Sequence, residues 1–292
     1  MIKKQLLILG LLISVFSSTV FAGGGWPLKK GQAYLKVAEW WTIADRHYTS
    51  QGLIDPNATI GLFNTTVYAE YGFTDRLTAI AYIPVYSRSI IYNQVSNTTG
   101  EIITPGDALN GIGDSDLGLK YGLTKPDSRI AVAATLKLGL PLGNEAGGIQ
   151  GNLQTGDGEF NQVLRVDAGT GFNLGKKVNG YANAYAGFNN RTNDFSDEYR
   201  FGLEAGLGFL NKRIWAIGRL NIVESLKNGE LSGETTSNSV FANNSEFTSF
   251  SGEVNFYITK KIGVSVGAAT AIAGEIILAD ASYTVGVFLD LK

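Results

Sequence analysis

The sequence predicts an all-β protein, an antiparallel up-and-down transmembrane barrel of about twelve strands. Three observations predict it. Apolar and polar residues alternate with a period of two through twelve segments. The connections between them are alternately short and long, and aromatic rings recur just before the short ones.

The chain opens with Lys3 and Lys4, an uncharged apolar run over 6–16, and Val20-Phe21-Ala22. That is the order of a secretory signal peptide, so cleavage is expected after Ala22. The apolar run is shorter than the roughly 20 residues a membrane helix needs. Two domains of unequal kind follow: 1–22 the signal, 23–292 the barrel. The signal takes two lysines and no acids with it, which moves the net charge from −2 to −4. A mildly acidic chain gives no reason to expect nucleic acid as a partner. Cys is absent, so disulfides and thiolate chemistry are excluded. The 37 Gly, 15 Phe, 13 Tyr and 4 Trp accompany a mean hydropathy of only +0.04, as strands with one greasy and one polar face would give.

The twelve segments are roughly 32–45, 61–73, 77–92, 114–123, 129–141, 160–174, 178–190, 198–210, 214–224, 247–258, 262–272 and 280–291. Most have at least the 9–11 residues or so that a tilted barrel strand requires. In the fourth, Leu117, Leu119, Tyr121 and Leu123 oppose Asp114, Asp116, Gly118, Lys120 and Gly122. In the fifth, Ile130, Val132, Ala134, Leu136, Leu138 and Leu140 oppose Arg129, Thr135 and Lys137; in the eighth, Tyr199, Phe201, Leu203 and Phe209 oppose Glu198, Arg200 and Glu204. A soluble sandwich alternates too, so the connections matter. Tight turns fall at 74–76, 124–128, 175–177, 211–213 and 259–261; longer polar stretches fall at 46–60, 93–113, 142–159, 191–197, 225–246 and 273–279. Short turns on one rim and long loops on the other are the pattern of outer-membrane barrels, whose turns face the periplasm. An even strand count then puts both chain ends in the periplasm.

Phe73, Tyr121, Phe172, Phe209 and Phe256 each stand one to three residues before a tight turn, as a lower interfacial girdle would. Trp41, Phe160, Phe188, Tyr199, Phe250 and Tyr283 are candidates for the upper ring. Edge strands cannot be left open in hydrocarbon, so the first strand is expected to pair with the twelfth.

No catalytic, metal or cofactor site is expected. The one histidine, His47, has Asp45 before it and Ser50 after it, and a hydrolytic set can be drawn from these three, but a rim histidine is more often a solvated polar residue. The segments 111–116 (GIGDSD) and 156–159 (GDGE) resemble calcium loops faintly and lack the ligand ladder of an EF-hand, so they are read as turns at the rim. The charges on non-lipid faces are Lys36, Glu39, Glu70, Arg88, Asp114, Asp116, Lys120, Arg129, Lys137, Arg165, Asp167, Arg200, Glu204, Arg219 and Glu253. These are the candidate lumen-lining residues, either a ladder of salt bridges filling the barrel or the wall of a conduit. Twelve strands leave room for a modest channel and not for a wide porin.

The segment 111–123 (GIGDSDLGLKYGL) resembles outer-membrane transporters of the meta-pathway of phenol degradation, distant relatives of the fatty-acid and aromatic-hydrocarbon transporters. The run 68–77 (YAEYGFTDRL), Ile83-Pro84 and 138–141 (LGLP) are similar to the same group, and the similarity fades after about Phe172. The resemblance implies passage of small hydrophobic or aromatic molecules, with outer-membrane lipid as surroundings and the barrel-assembly machinery as a partner in biogenesis. Fatty-acid transporters carry an N-terminal plug, whereas few residues precede the first strand here, so a gate is sought in 93–113 or 225–246. The alternatives are a closed structural or surface-interaction barrel and, more remotely, a hydrolase using His47.

Overall fold

The computed structural model describes residues 24–230 and 241–292. The expected signal peptide lies outside the described residues, as does 231–240 of the loop placed at 225–246. Among the described residues there are sixteen strands: β1 (Ala33–Tyr48), β2 (Ile54–Gly72), β3 (Leu77–Ile91), β4 (Gln94–Val95), β5 (Ile102–Thr104), β6 (Asp107–Gly111), β7 (Ser115–Gly122), β8 (Ile130–Leu140), β9 (Asn161–Leu174), β10 (Val178–Asn190), β11 (Glu198–Phe209), β12 (Ile214–Ser225), β13 (Glu246–Tyr257), β14 (Ile262–Glu275), β15 (Ile277–Leu278) and β16 (Ser282–Leu291). Twelve of them form the wall, and each pairs antiparallel with its neighbours in chain order. β1 pairs with both β2 and β16, from Ala33 opposite Leu291 to Thr42 opposite Ser282, so the sheet has no free edge. The short strands belong to the loops: β4 and β5 form a hairpin, β6 pairs alongside 87–91 of β3, and β15 pairs with His47 and Tyr48.

Burial is the reverse of a soluble protein's. Along β7, Leu117, Leu119 and Tyr121 are about half exposed while Lys120 between them is 3% exposed. Glu70, Thr78, Asp167, Asn183 and Ser265 are buried, while Leu35, Val37, Leu164, Leu203, Val266, Val285 and Val287 stand outside. A wall this apolar far exceeds the few hundred Å² that a soluble surface tolerates, and it suits hydrocarbon instead. The lower girdle is present on that outer face, with Phe73, Tyr121 and Phe256 all exposed. In the upper ring Trp41 packs against Tyr283 at 5.8 Å and Phe188 against Tyr199 at 5.6 Å, both as cross-strand partners.

Two of the departures from the alternation pattern bear on which side chains reach the lumen. The loop expected over 46–60 is mostly strand. The β1–β2 ladder passes a bulge between Ala44 and Arg46 and continues through Arg46–Pro56, His47–Asp55 and Tyr48–Ile54. The bulge and the charges around it break the two-residue period, which is why the pattern stops early. The second departure lies in β3, where Thr65 pairs with Tyr86 and Thr66 with Pro84, leaving Val85 as an extra residue. Val85 and Tyr86 both face outward, and the parity of every later residue in β3 is inverted.

Glu39 also faces outward. Its neighbours Lys36, Ala38 and Trp40 line the lumen, whereas Glu39 shares the face of Leu35 and Val37 and accepts a hydrogen bond from Thr65 Oγ1 at 2.6 Å. A carboxylate on a lipid-facing wall is unfavourable in a depth-dependent way. Glu39→Leu is therefore expected to stabilise the barrel by about 1 kcal/mol, seen as a higher urea midpoint in lipid bilayers. A lowered midpoint would show that the carboxylate has a stabilising partner outside the wall.

Candidate functional site in the barrel lumen

Inward positions of the wall bring the lumen charges together in pairs. The longest set runs along the inner wall from β1 to β10: Lys36 Nζ meets Glu253 Oε1 at 3.2 Å, Arg219 Nη1 donates to Glu253 Oε2 at 3.0 Å, Arg219 Nε donates to Glu204, and Tyr181 donates its hydroxyl to the same carboxylate at 2.6 Å. These partners sit on β1, β13, β12, β11 and β10, and the ladder registers place Arg219 directly opposite Glu204. Deeper in the wall, Lys120 lies 3.7 Å from Glu70, which also accepts the Tyr68 hydroxyl. Arg165 pairs with Asp167 and lies 3.6 Å over the Tyr185 ring, and Asn183 donates to Asp167 at 3.1 Å. Lys137 donates to Asp116 at 2.8 Å, Arg200 to Glu198, and Lys292 stands 3.6 Å from Asp290. Among the described residues the lumen wall thus pairs seven cations (Lys36, Lys120, Lys137, Arg165, Arg200, Arg219, Lys292) with seven carboxylates (Glu70, Asp116, Asp167, Glu198, Glu204, Glu253, Asp290). Compensated charges leave little standing field to concentrate ions of either sign.

Of the residues singled out in the sequence, three lie elsewhere. Arg88 is on the outer face, opposite Phe63, because the extra residue at Val85 turns Ser87 and Ser89 inward instead. Its guanidinium donates to Asn110 Oδ1 at 3.2 Å, which also accepts the Tyr86 hydroxyl. Glu39 is outside for the parity given above. Arg129 is exposed in the 123–129 turn. Asp114 lines the lumen near the loop rim, outside the seven pairs, and accepts backbone N–H groups there.

Among the described residues, two adjoining cavities stand out in the lumen. The first, about 460 Å³, lies toward the turn side and is lined by the charge ladder and by Tyr34, Tyr68, Tyr82, Tyr181, Tyr257, Trp40, Trp215 and Phe288. The second, about 320 Å³, lies toward the loops between Asn64, Pro84, Ser87, Asp114, Thr155 and Phe241. Trp40 and Tyr82 line both, so they stand where one cavity meets the next.

The turn-side end is occupied by residues 24–28, part of what the sequence offers only as a short lead-in to β1. Gly25 N–H donates to Asn183 Oδ1 at 3.1 Å, and Gly25 lies so close to the Ala131 carbonyl oxygen that no β-carbon fits. The Trp26 ring covers Gly169 and meets Tyr181 edge-on at 6.2 Å. Pro27 covers Gly122, where a β-carbon would stand 2.9 Å from Pro27 Cγ. Leu28 is buried and its N–H donates to Thr78 Oγ1 at 2.8 Å. The segment therefore crosses the lumen from β9 and β10 to β3, seated on wall glycines whose missing side chains make room for it. This segment narrows the turn-side end of the lumen, opposite the long loops. GGGWP at 23–27 was the available signal, since glycines followed by Trp suit close backbone approach to a wall.

The hydrolytic set drawn around His47 is not assembled. His47 Nδ1 is buried without a hydrogen-bond partner, Asp45 is exposed beside Arg46, and the Ser50 hydroxyl accepts from Gln51. No group of three or more His, Cys, Asp or Glu among the described residues is arranged to hold a metal ion.

A closed twelve-stranded barrel with an apolar exterior, paired polar interior and short turns on one rim is a transmembrane β-barrel of the outer-membrane type. A solved structure shares that architecture. An outer-membrane channel from Pseudomonas putida F1 matches with a TM-score of 0.56 at 15% identity, over 93% of this chain and 100% of that one. The NanC porin matches with a TM-score of 0.47 at 10% identity, over 87% and 98%. No protein-family description matches the sequence. No curated protein sequence matches it either.

Proposed function

We propose that the protein is a passive outer-membrane channel for small, uncharged molecules carrying an apolar or aromatic ring. The observation that carries this reading is the lumen itself: two adjoining cavities with aromatic faces and a charge-compensated wall. Flat rings offer dispersion and edge-to-face contact to an apolar solute. Paired charges stay paired as it passes, so no ion is left uncompensated. The resemblance of 111–123 and 68–77 to transporters of the meta-pathway of phenol degradation supports the same class of solute. In this reading the turns and both chain ends face the periplasm, the assembly machinery inserts the barrel, and lipid surrounds it.

Solute flux into liposomes carrying the purified protein tests it. Aromatic and aliphatic neutral probes are expected to enter faster than hydrophilic ions of equal size. Absence of flux for every probe would leave the closed structural barrel, a reading favoured by the segment seated at the turn-side end. Trp40→Ala is expected to raise flux of the same probes, because it widens the junction between the cavities.

A further inference from the structure

The two glycine-acid segments that the sequence sets aside as rim turns meet in space. Asp114, just before β7, accepts the backbone N–H of Gly143 at 2.9 Å and of Asp157 at 2.8 Å. Thr155, itself buried, donates to the Ile112 carbonyl at 2.9 Å and accepts from Asn144 N–H. The 141–160 loop is thereby fastened to the 112–114 segment directly over the loop-side cavity, whose lining includes Gly113, Asp114 and Thr155.

A second fastening comes from Arg191 in the β10–β11 connection. Its guanidinium reaches Glu159 at 2.7 Å, Glu198 at 2.8 Å and Asp157 at 3.4 Å, with the side chain almost wholly buried. The charged groups facing Asp157 come from every element around it. Its own loop supplies Glu159 and, past Gly158, Glu145; the 112–114 segment supplies Asp114. Arg191 faces it from the β10–β11 connection, whose Asp197 accepts the Arg191 N–H, and β11 adds Glu198 with Arg200 beyond it. Buried carboxylates outnumber guanidinium groups here, unlike in the lumen below.

We propose that the Asp114–Asp157–Arg191 junction is a proton-sensitive latch that holds the 141–160 loop closed over the loop-side cavity. Burial, and then the neighbouring Glu159 and Asp114 carboxylates, push the Asp157 carboxyl up to about 7. A carboxyl raised in the closed state stabilises that state in full below its ordinary value, and the contribution is lost as pH rises toward the raised one. The latch is therefore tightest near pH 4, weakens as pH rises through about 7, and then levels off. The consequence for solute passage rests on the channel reading above; the latch does not.

Hydrogen exchange of the intact protein in lipid, corrected for intrinsic chemistry, reads the latch directly at residues 155–157. Between pH 5 and 7 exchange there is expected to rise by more than about tenfold in the native protein. Asp157→Asn is expected to stay slow and flat, because its amide is neutral at both pH values. A flat native profile, or the same rise in the variant, overturns the latch. Bilayer conductance of the same two proteins is expected to follow the exchange. Normal exchange behaviour with no conductance at any pH would uphold the latch and remove the channel.

Discussion

Deleting residues 24–28 is expected to leave a folded barrel whose conductance is several-fold that of the intact protein. The wall ladders do not pass through this segment, and β1 begins only at Ala33, so closure between β1 and β16 survives. What is lost is the material that crosses the lumen: Trp26 over Gly169, Pro27 over Gly122 and the buried Leu28. Exposing the Trp26 and Leu28 seats also costs the hydrogen bonds to Asn183 and Thr78, so a lower thermal midpoint should accompany the larger current. Planar-bilayer recordings compare the two proteins directly. Equal conductance would mean that the restriction lies elsewhere, and the junction at Trp40 and Tyr82 would be the next place to look.

Glu70→Leu is expected to cost about 3–5 kcal/mol of unfolding free energy, because it strands Lys120 in a dry wall. Both side chains are almost fully buried, and Lys120 has Glu70 at 3.7 Å as its ion-pair partner. The Tyr68 hydroxyl loses its acceptor in the same substitution. Adding Lys120→Met should recover most of the loss, since replacing both members of a buried pair by apolar groups is often close to neutral. Urea unfolding in lipid vesicles, run as a double-mutant cycle, measures both. A single-variant cost below about 1 kcal/mol would mean that water reaches Lys120 in the folded barrel.

Most of the wall was legible because one physical demand governs every strand. A residue facing hydrocarbon must be apolar and one facing the lumen need not be, so Leu117-Gly118-Leu119-Lys120-Tyr121 declares its orientation without any knowledge of its neighbours. The same demand made Glu204, Arg219 and Glu253 recognisable as inward groups. It did not reveal their partners, since Arg219 meets Glu204 through ladder register and Lys36 meets Glu253 across β16 and β14. Arg88 shows where the pattern fails. One bulged residue at Val85 exchanges the two faces for the rest of β3, and Pro84 beside it was the available signal, since Pro inside a sheet is confined to edges and bulges.

The sequence by itself determined that the chain crosses a membrane as a closed antiparallel barrel, which rim carries the turns, and which side chains face away from lipid over most strands. These are local, two-residue choices imposed by solvent. Only the tertiary structure decided that the lumen charges cancel in pairs, that residues 24–28 turn back into the barrel, and that 112–114 and 156–159 fasten one loop over the opposite end. Each of those depends on residues tens to hundreds of positions apart, brought together by closure and register, for which no single segment carries the information.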